Sequence, residues 1–207
     1  MRIDRAPKSS LPTDHPSATR NLISLLTPLS SLFLIISCFQ TRDVEPPSSS
    51  TSDWVSPTDY QILLNNFQIA INQLNVQNYL RVFNTDVFRF TPASSLADDN
   101  QNLWSNWSSL DEQTYLENTI ARLRGPSGNT LILQQTDLQD FGDSIQYAGN
   151  YTLRFNHNDT TLTDLFKGQL LFIIRRNTFN ELEIHRWEDL ETVPDSSWSL
   201  LKQKFIQ

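Results

Sequence analysis

The chain has 207 residues, with 16 basic and 23 acidic side chains, a net charge of −7 at pH 7 and one cysteine. This length suits one ordinary domain with additional segments, and a lone cysteine excludes an internal disulfide and a Cys-x-x-Cys metal site. Because 12 basic and 21 acidic residues follow that cysteine, this part of the chain repels phosphate backbones, and we expect no nucleic-acid partner.

An uncharged run covers residues 22–36 and follows Arg20 near the N-terminus. A membrane-spanning helix needs about 20 mostly apolar residues, and this run is shorter and contains Pro28. The pattern therefore predicts a signal peptide over residues 1–37. The 19 residues before Arg20 are long for the charged region of a signal peptide, so we expect the true translation start to lie nearer Arg20.

The run ends in Ile35-Ile36-Ser37-Cys38, which resembles the lipobox of bacterial lipoproteins. The resemblance implies that the sulfur of Cys38 carries a diacylglycerol, that cleavage occurs before Cys38, and that the new N-terminus is acylated. Membrane lipid is then a partner, because two or more acyl chains anchor a protein stably. Phe39 is not the aspartate that retains lipoproteins in the inner membrane, which favours the periplasmic side of the outer membrane in a Gram-negative cell envelope.

Two alternatives to this interpretation stay open at this point. The run fits an ordinary signal peptide followed by an incidental cysteine, and it also fits a membrane-anchored N-terminus. Residues 38–57 predict a flexible tether in either case, because Pro, Ser, Thr and charged residues dominate them and cannot bury enough apolar surface to fold. Trp54 is the exception, and we expect it to dock on the edge of the domain.

Helical signals open the folded body, which we place at residues 58–207. Ser56–Asp59 is a helix start, and apolar residues then recur at 60, 63, 64, 67, 71 and 74, one face of a helix. A short helix is predicted over Val76–Phe83 and a strand over Val87–Phe90. Residues 93–106 indicate a loop, and the capping box Ser109–Glu112 starts a helix that runs to about residue 124.

Strand patterns fill most of the remainder of the chain. We predict strands at residues 130–138, 144–156, 169–176 and 181–190, of which 144–156 shows the clearest alternation of apolar and polar residues. The third strand is apolar on both faces, which predicts a central position in the sheet. His157 falls in a predicted turn and is expected to be solvated. A helical tail carries Trp198, Leu201 and Phe205.

The element order, helices first and a strand meander after, indicates an α+β fold. Together with residues 186–189, Arg-Trp-Glu-Asp, it resembles the NTF2-like (SnoaL-like) superfamily, in which a curved antiparallel sheet wraps around a long helix as a cone. Cystatin-like and lipocalin-like sheets are alternatives, and the long early helix argues against a lipocalin. The resemblance implies a pocket at the open end of the cone, where some members use an Asp or His as general base.

Candidate site residues are few. His185 with Glu183 is a weak catalytic candidate, predicted to share a strand face with Trp187; a hydrogen-bonded histidine on the sheet is the favoured interpretation. Arg186 and Glu188 predict a salt bridge on the other face. No motif indicates a metal or cofactor, and none is expected. Five aromatic residues are candidates for lining a pocket: Trp104, Trp107, Tyr147, Tyr151 and Trp187. We expect Trp104 and Trp107 to fill the cone instead.

These observations give one favoured function and two alternatives. The favoured hypothesis is a membrane-tethered lipoprotein whose domain is a binding or assembly module for an unknown protein or small-molecule ligand, with homodimerisation left open. One alternative is a SnoaL-like isomerase or hydrolase acting on a small hydrophobic substrate. The other is a structural envelope component with a filled cone.

Overall fold

A computed structural model describes residues 53–98 and 100–207. The predictions for the signal peptide, for Cys38 and for the tether up to residue 52 lie outside the described residues. Within the described ranges, no helix is both long and apolar enough to cross a membrane.

The first helix, α1, spans Tyr60–Asn72, and its N-cap Asp59 accepts a hydrogen bond from the backbone N–H of Gln61. Helix α2 spans Val76–Leu80 and ends three residues before the predicted position. The reason is that the following backbone pairs with the sheet instead of continuing the helix. The N–H of Ile184 donates to the carbonyl of Val82, and the carbonyl of Ile184 accepts from Asn84.

Strand β1 spans Arg89–Thr91, and three helices follow it: α3 at Ser94–Ala97, α4 at Gln101–Trp104 and α5 at Ser109–Ala121. The two single-turn helices occupy the predicted loop, because the buried Trp104 donates its indole N–H to the carbonyl of Leu96 and folds the segment onto the core. The capping box of α5 is formed by Ser108 and Asp111, and not by Ser109 and Glu112, because Glu112 points into the core.

Four longer strands complete the sheet: β2 at Thr130–Asp140, β3 at Ser144–Arg154, β4 at Leu165–Arg176 and β5 at Leu182–Glu191. The strand order is β1-β5-β4-β3-β2; β1 runs parallel to β5, and all other neighbours are antiparallel. The predicted alternation in β3 and the central position of β4 are confirmed. Helix α6, Trp198–Phe205, follows the sheet.

The helices pack against one face of the sheet, and the core lies between them. Phe67 of α1 is its centre, with its ring 5.7–6.2 Å from the rings of five other aromatic residues. These neighbours come from α2, the segment after it, β4, β5 and α6: Tyr79, Phe83, Phe172, Trp187 and Trp198. Side chains on the opposite face of the sheet are half-buried or exposed.

A β-bulge in β5 overturns one prediction about this strand. Ile173 of β4 pairs with Arg186 and Ile174 pairs with Ile184, which leaves His185 as an extra residue without a partner. An extra residue shifts the alternation by one position. Trp187 therefore points into the core, whereas His185 lies on the outer face with Glu183. The prediction that all three residues share a face is wrong.

His157 also differs from the prediction, because it is fully buried. Its Nε2 lies 2.9 Å from the carbonyl oxygen of Thr163, and its ring packs near Phe166 and Phe205. A backbone bridge between Leu123 and His157 holds the predicted turn against the end of α5, which removes the side chain from water.

The last residues of the predicted tether lie against the domain. The side-chain amide of Asn66 bonds to both the N–H and the carbonyl of Val55. The carbonyl of Pro57 accepts from the N–H of Leu182 at 2.7 Å, and the guanidinium of Arg81 lies 4.1 Å from the centre of the Trp54 ring. Trp54, Val55 and Pro57 therefore contribute contacts to the domain.

Candidate functional site

Glu112 of α5 is a fully buried carboxylate inside the cone. Its Oε2 accepts a hydrogen bond from the hydroxyl of Tyr79 at 2.6 Å. Its Oε1 accepts from the indole N–H of Trp107 at 2.7 Å and from the ammonium of Lys202. Both oxygens of this carboxylate are thus occupied by side chains of the protein.

Lys202 of α6 is also fully buried. Its Nζ lies 3.6 Å from the ring centre of Trp187 and 3.7 Å from that of Phe90, so two aromatic faces complete the site around the ammonium. Burial lowers the pKa of Lys202 to about 8, and the attraction of Glu112 opposes this change. Burial, together with the charge of the same carboxylate, holds the pKa of the Tyr79 hydroxyl well above its usual value.

Asp189 of β5 forms a second buried polar cluster. It accepts hydrogen bonds from the hydroxyl of Tyr151 at 2.8 Å and from the N–H and hydroxyl of Ser199. Burial raises the pKa of Asp189, and the bonds from Ser199 and Tyr151 oppose that rise. The hydroxyl of Tyr151 accepts from the N–H of Trp198, so this cluster fixes the start of α6 to the sheet.

These two clusters have the residue types of an acid–base site but not its accessibility. A general base must reach the proton that it removes, directly or through one water. Three donors of the protein bond to Glu112 and three to Asp189, and both carboxylates are buried. The arrangement instead anchors α6 to the rest of the core, through Ser199 to Asp189 and through Lys202 to Glu112.

The five predicted pocket-lining aromatic residues are all buried in this core. The ring centres of Trp104 and Trp107 lie 5.0 Å apart, and each lies 5.7 Å from the ring of Phe90. Tyr147 packs near Phe172. Among the described residues, the three best-formed surface concavities are lined by none of these five aromatic residues.

The weak catalytic candidates His185 and Glu183 both lie on the outer face of the sheet, and the hydrogen bonds of Glu183 go to two asparagines. The two carboxylate oxygens of Glu183 accept hydrogen bonds from the side-chain amides of Asn84 and Asn177 at 2.8 and 2.7 Å. His185 lies on the outer face, its pKa lowered by burial and by Arg175 and raised by Glu183. Arg186 and Glu188 form the predicted salt bridge, at 3.3 Å.

Glu112, Asp189 and Lys202 were not predicted as site residues, although two of them carried a signal in the sequence. Lys202 lies four residues after Trp198, on the buried face of an amphipathic helix. Asp189 lies two residues after Trp187 and so shares its strand face. Cys38, the predicted lipid site, lies outside the described residues. Within the part that is described, no group of three or more His, Cys, Asp or Glu residues could hold a metal ion.

Of the comparisons with known proteins, only the comparison with solved structures gives matches. No family model matches the chain, and no curated protein matches it. A Novosphingobium aromaticivorans protein provisionally described as an aromatic ring hydroxylase aligns with a TM-score of 0.53, at 16% identity over 69% of this chain and 93% of its own. A second protein from that bacterium, provisionally described as a scytalone dehydratase, aligns at 0.51, with 10% identity over 65% of this chain and 82% of its own.

A conserved protein from Planctomyces limnophilus aligns at a TM-score of 0.50, with 11% identity over 63% of this chain and 91% of its own. At such identities, the similarity shows a shared fold and carries no site residue across. The fold is the NTF2-like α+β fold that the sequence predicted, with helices first and a curved, mostly antiparallel sheet after them.

Proposed function

We propose that this protein is a lipoprotein of the bacterial cell envelope, anchored through Cys38, whose NTF2-like domain binds a partner or ligand through its outer surface. The filled cone carries the second half of this proposal. Lys202 occupies the interior between Trp187 and Phe90 and neutralises Glu112, where an enzyme of this fold would hold its substrate. A structural envelope component with a filled cone would share this interior and would lack a specific ligand.

An enzyme of the SnoaL-like type is the competing function, and the descriptive names of two structural neighbours, a hydroxylase and a dehydratase, motivate it. Their identities to this chain are 16% and 10%, so the names transfer no residue. Turnover in the cone would require α6 to leave, and its fully buried Trp198, Leu201 and Phe205 oppose this, because each large apolar side chain contributes roughly 1.5–3 kcal/mol on burial.

The anchor is tested by palmitate labelling in a bacterial host. Wild type and a Ser37→Ala control, which keeps a small residue before the cysteine, should both incorporate label. Cys38→Ser should not, because acylation requires the cysteine sulfur. Equal labelling of Cys38→Ser would refute lipidation at this residue.

The binding role is tested by crosslinking in intact cells followed by purification of the membrane-bound protein and mass spectrometry. A specific partner or a co-purified small molecule, lost when outer-face residues are changed, supports a binding module. Turnover of a hydrophobic substrate that disappears in Glu112→Gln would instead assign the function to the cone.

A further inference from the structure

The outer face of the sheet carries an open concavity of about 620 Å³. It lies between the β2–β3 turn and the segment before β1, and the β5 bulge contributes to it, because both His185 and Arg186 line it. This volume falls within the range of roughly 300–1,000 Å³ that is typical of small-molecule sites. The concavity is separate from the cone interior, which faces the other side of the sheet.

The rim of this concavity is apolar. Phe141 and Val87 line it and are 62% and 49% exposed, and the half-buried Ile173 lines it as well. Exposed apolar side chains that border one concave surface gain free energy when a ligand covers them.

The charge of the concavity is opposite to that of the chain as a whole. Arg175 and Arg186 line it, and no described Asp or Glu side chain does, although the chain carries a net charge of −7. Arg186 is paired with Glu188, whereas Arg175 has no ion pair among residues 53–98 and 100–207. The Nε2 of His185 is buried without a hydrogen-bond partner there.

We propose that this concavity binds a small hydrophobic carboxylate, an aryl or short alkyl chain that ends in a carboxylate. The guanidinium of Arg175 offers two parallel N–H donors to the two carboxylate oxygens. The hydrocarbon part covers Phe141, Val87 and Ile173. This inference rests on the proposed role of the domain as a binding module, but it does not depend on lipidation of Cys38.

The test uses the full chain in detergent micelles and 4-phenylbutyrate as the probe, with its neutral amide, 4-phenylbutyramide, as the matched ligand. Amide NMR shifts of Ile173 report binding at the site. The acid should bind saturably and about tenfold more tightly than the amide, the factor expected for one charge-assisted hydrogen bond. Arg175→Gln should lose this tenfold preference, and Arg154→Gln, an exposed arginine of β3, should keep it.

Phe141→Ser gives a second variant, whose exposed position leaves the fold intact; it should weaken both ligands several-fold. Equal binding of acid and amide, or equal effects of Arg175→Gln and Arg154→Gln, would overturn the proposal. A peptide that binds through its C-terminal carboxylate tenfold more tightly than 4-phenylbutyrate would assign the site to a protein partner instead. Repeating the titration with Cys38→Ser separates a failure of this site from a failure of the anchor.

Discussion

At the scale of single residues, the pair Lys202–Glu112 is the most consequential feature of the interior. Removing two charges from water costs several kcal/mol per ion, and their attraction offsets this cost only when the remaining donors and acceptors are satisfied. Here the hydroxyl of Tyr79, the indole of Trp107 and two aromatic faces meet that condition. The pair therefore tolerates burial but is sensitive to loss of either member.

Lys202→Met should lower the free energy of unfolding by about 3–5 kcal/mol, because Glu112 is left buried without its cation. Adding Glu112→Gln should recover part of that loss. The measurement is urea unfolding, with Lys204→Met as the control, since Lys204 is exposed on the same helix and should cost less than about 0.5 kcal/mol. An equal loss of stability in Lys202→Met and Lys204→Met would refute the stabilising role of the Lys202–Glu112 pair.

The pKa of His185 should lie below 6.5, because burial and Arg175 disfavour the imidazolium more than Glu183 favours it. Between that lower pKa and pH 6.5, His185 therefore binds more protons in the unfolded chain than in the folded chain. The contribution of His185 to stability is therefore present above pH 6.5 and is lost as the pH falls through this window.

An NMR titration of the His185 ring checks this pKa directly. Arg175→Gln should raise the pKa towards 6.5, and Glu183→Gln should lower it further. Arg154→Gln, at the far end of the sheet, serves as the control and should leave it unchanged. A pKa above 6.5 in the wild type would contradict the assignment of burial as the main cause.

At the scale of elements, the packing of α6 on the sheet depends on a glycine. A Cβ added at Gly168 of β4 would lie 2.5 Å from the hydroxyl oxygen of Tyr151 and 2.9 Å from the carbonyl oxygen of Leu190. The same hydroxyl holds Asp189 and the N–H of Trp198, so it cannot move without breaking the contacts at the start of α6.

Gly168→Ala should therefore destabilise the domain by about 1–3 kcal/mol, the usual cost of overpacking a core. Gly125→Ala is a suitable control, because nothing lies within 4 Å of the position that its methyl group would take and its φ is not positive. That variant should be neutral or slightly stabilising, by about 0.4–1 kcal/mol. Thermal unfolding of both variants tests the comparison, and equal melting temperatures would contradict it.

At the scale of the whole molecule, residues 53–57 contact the domain that we predicted to start at residue 58. A chain that begins at residue 53 should be more stable than one that begins at residue 58 by about 2–4 kcal/mol, because the shorter chain loses several hydrogen bonds and a cation–π contact. Two of these hydrogen bonds are at Val55 and one is at Pro57, and the cation–π contact is that of Trp54. Urea unfolding of the two chains measures this difference.

The fold follows from local patterns in the sequence. The apolar spacing of α1, the alternation in β3 and the aromatic face of α6 each repeat with the period of their element, and a period can be recognised from neighbouring residues alone. The same is true of the element order, which indicated an α+β fold and, together with residues 186–189, the resemblance to NTF2-like proteins.

The site was decided by the tertiary structure, because its interactions join distant residues. The bulge at His185 arises from pairing with β4, and no local pattern reveals an extra residue that reverses the faces of a strand. His157 is buried because a backbone bridge joins it to Leu123. Lys202 and Glu112 are 90 positions apart. Whether the ammonium of Lys202 is solvated or buried depends on which residues the fold packs against it, and the local sequence does not show this.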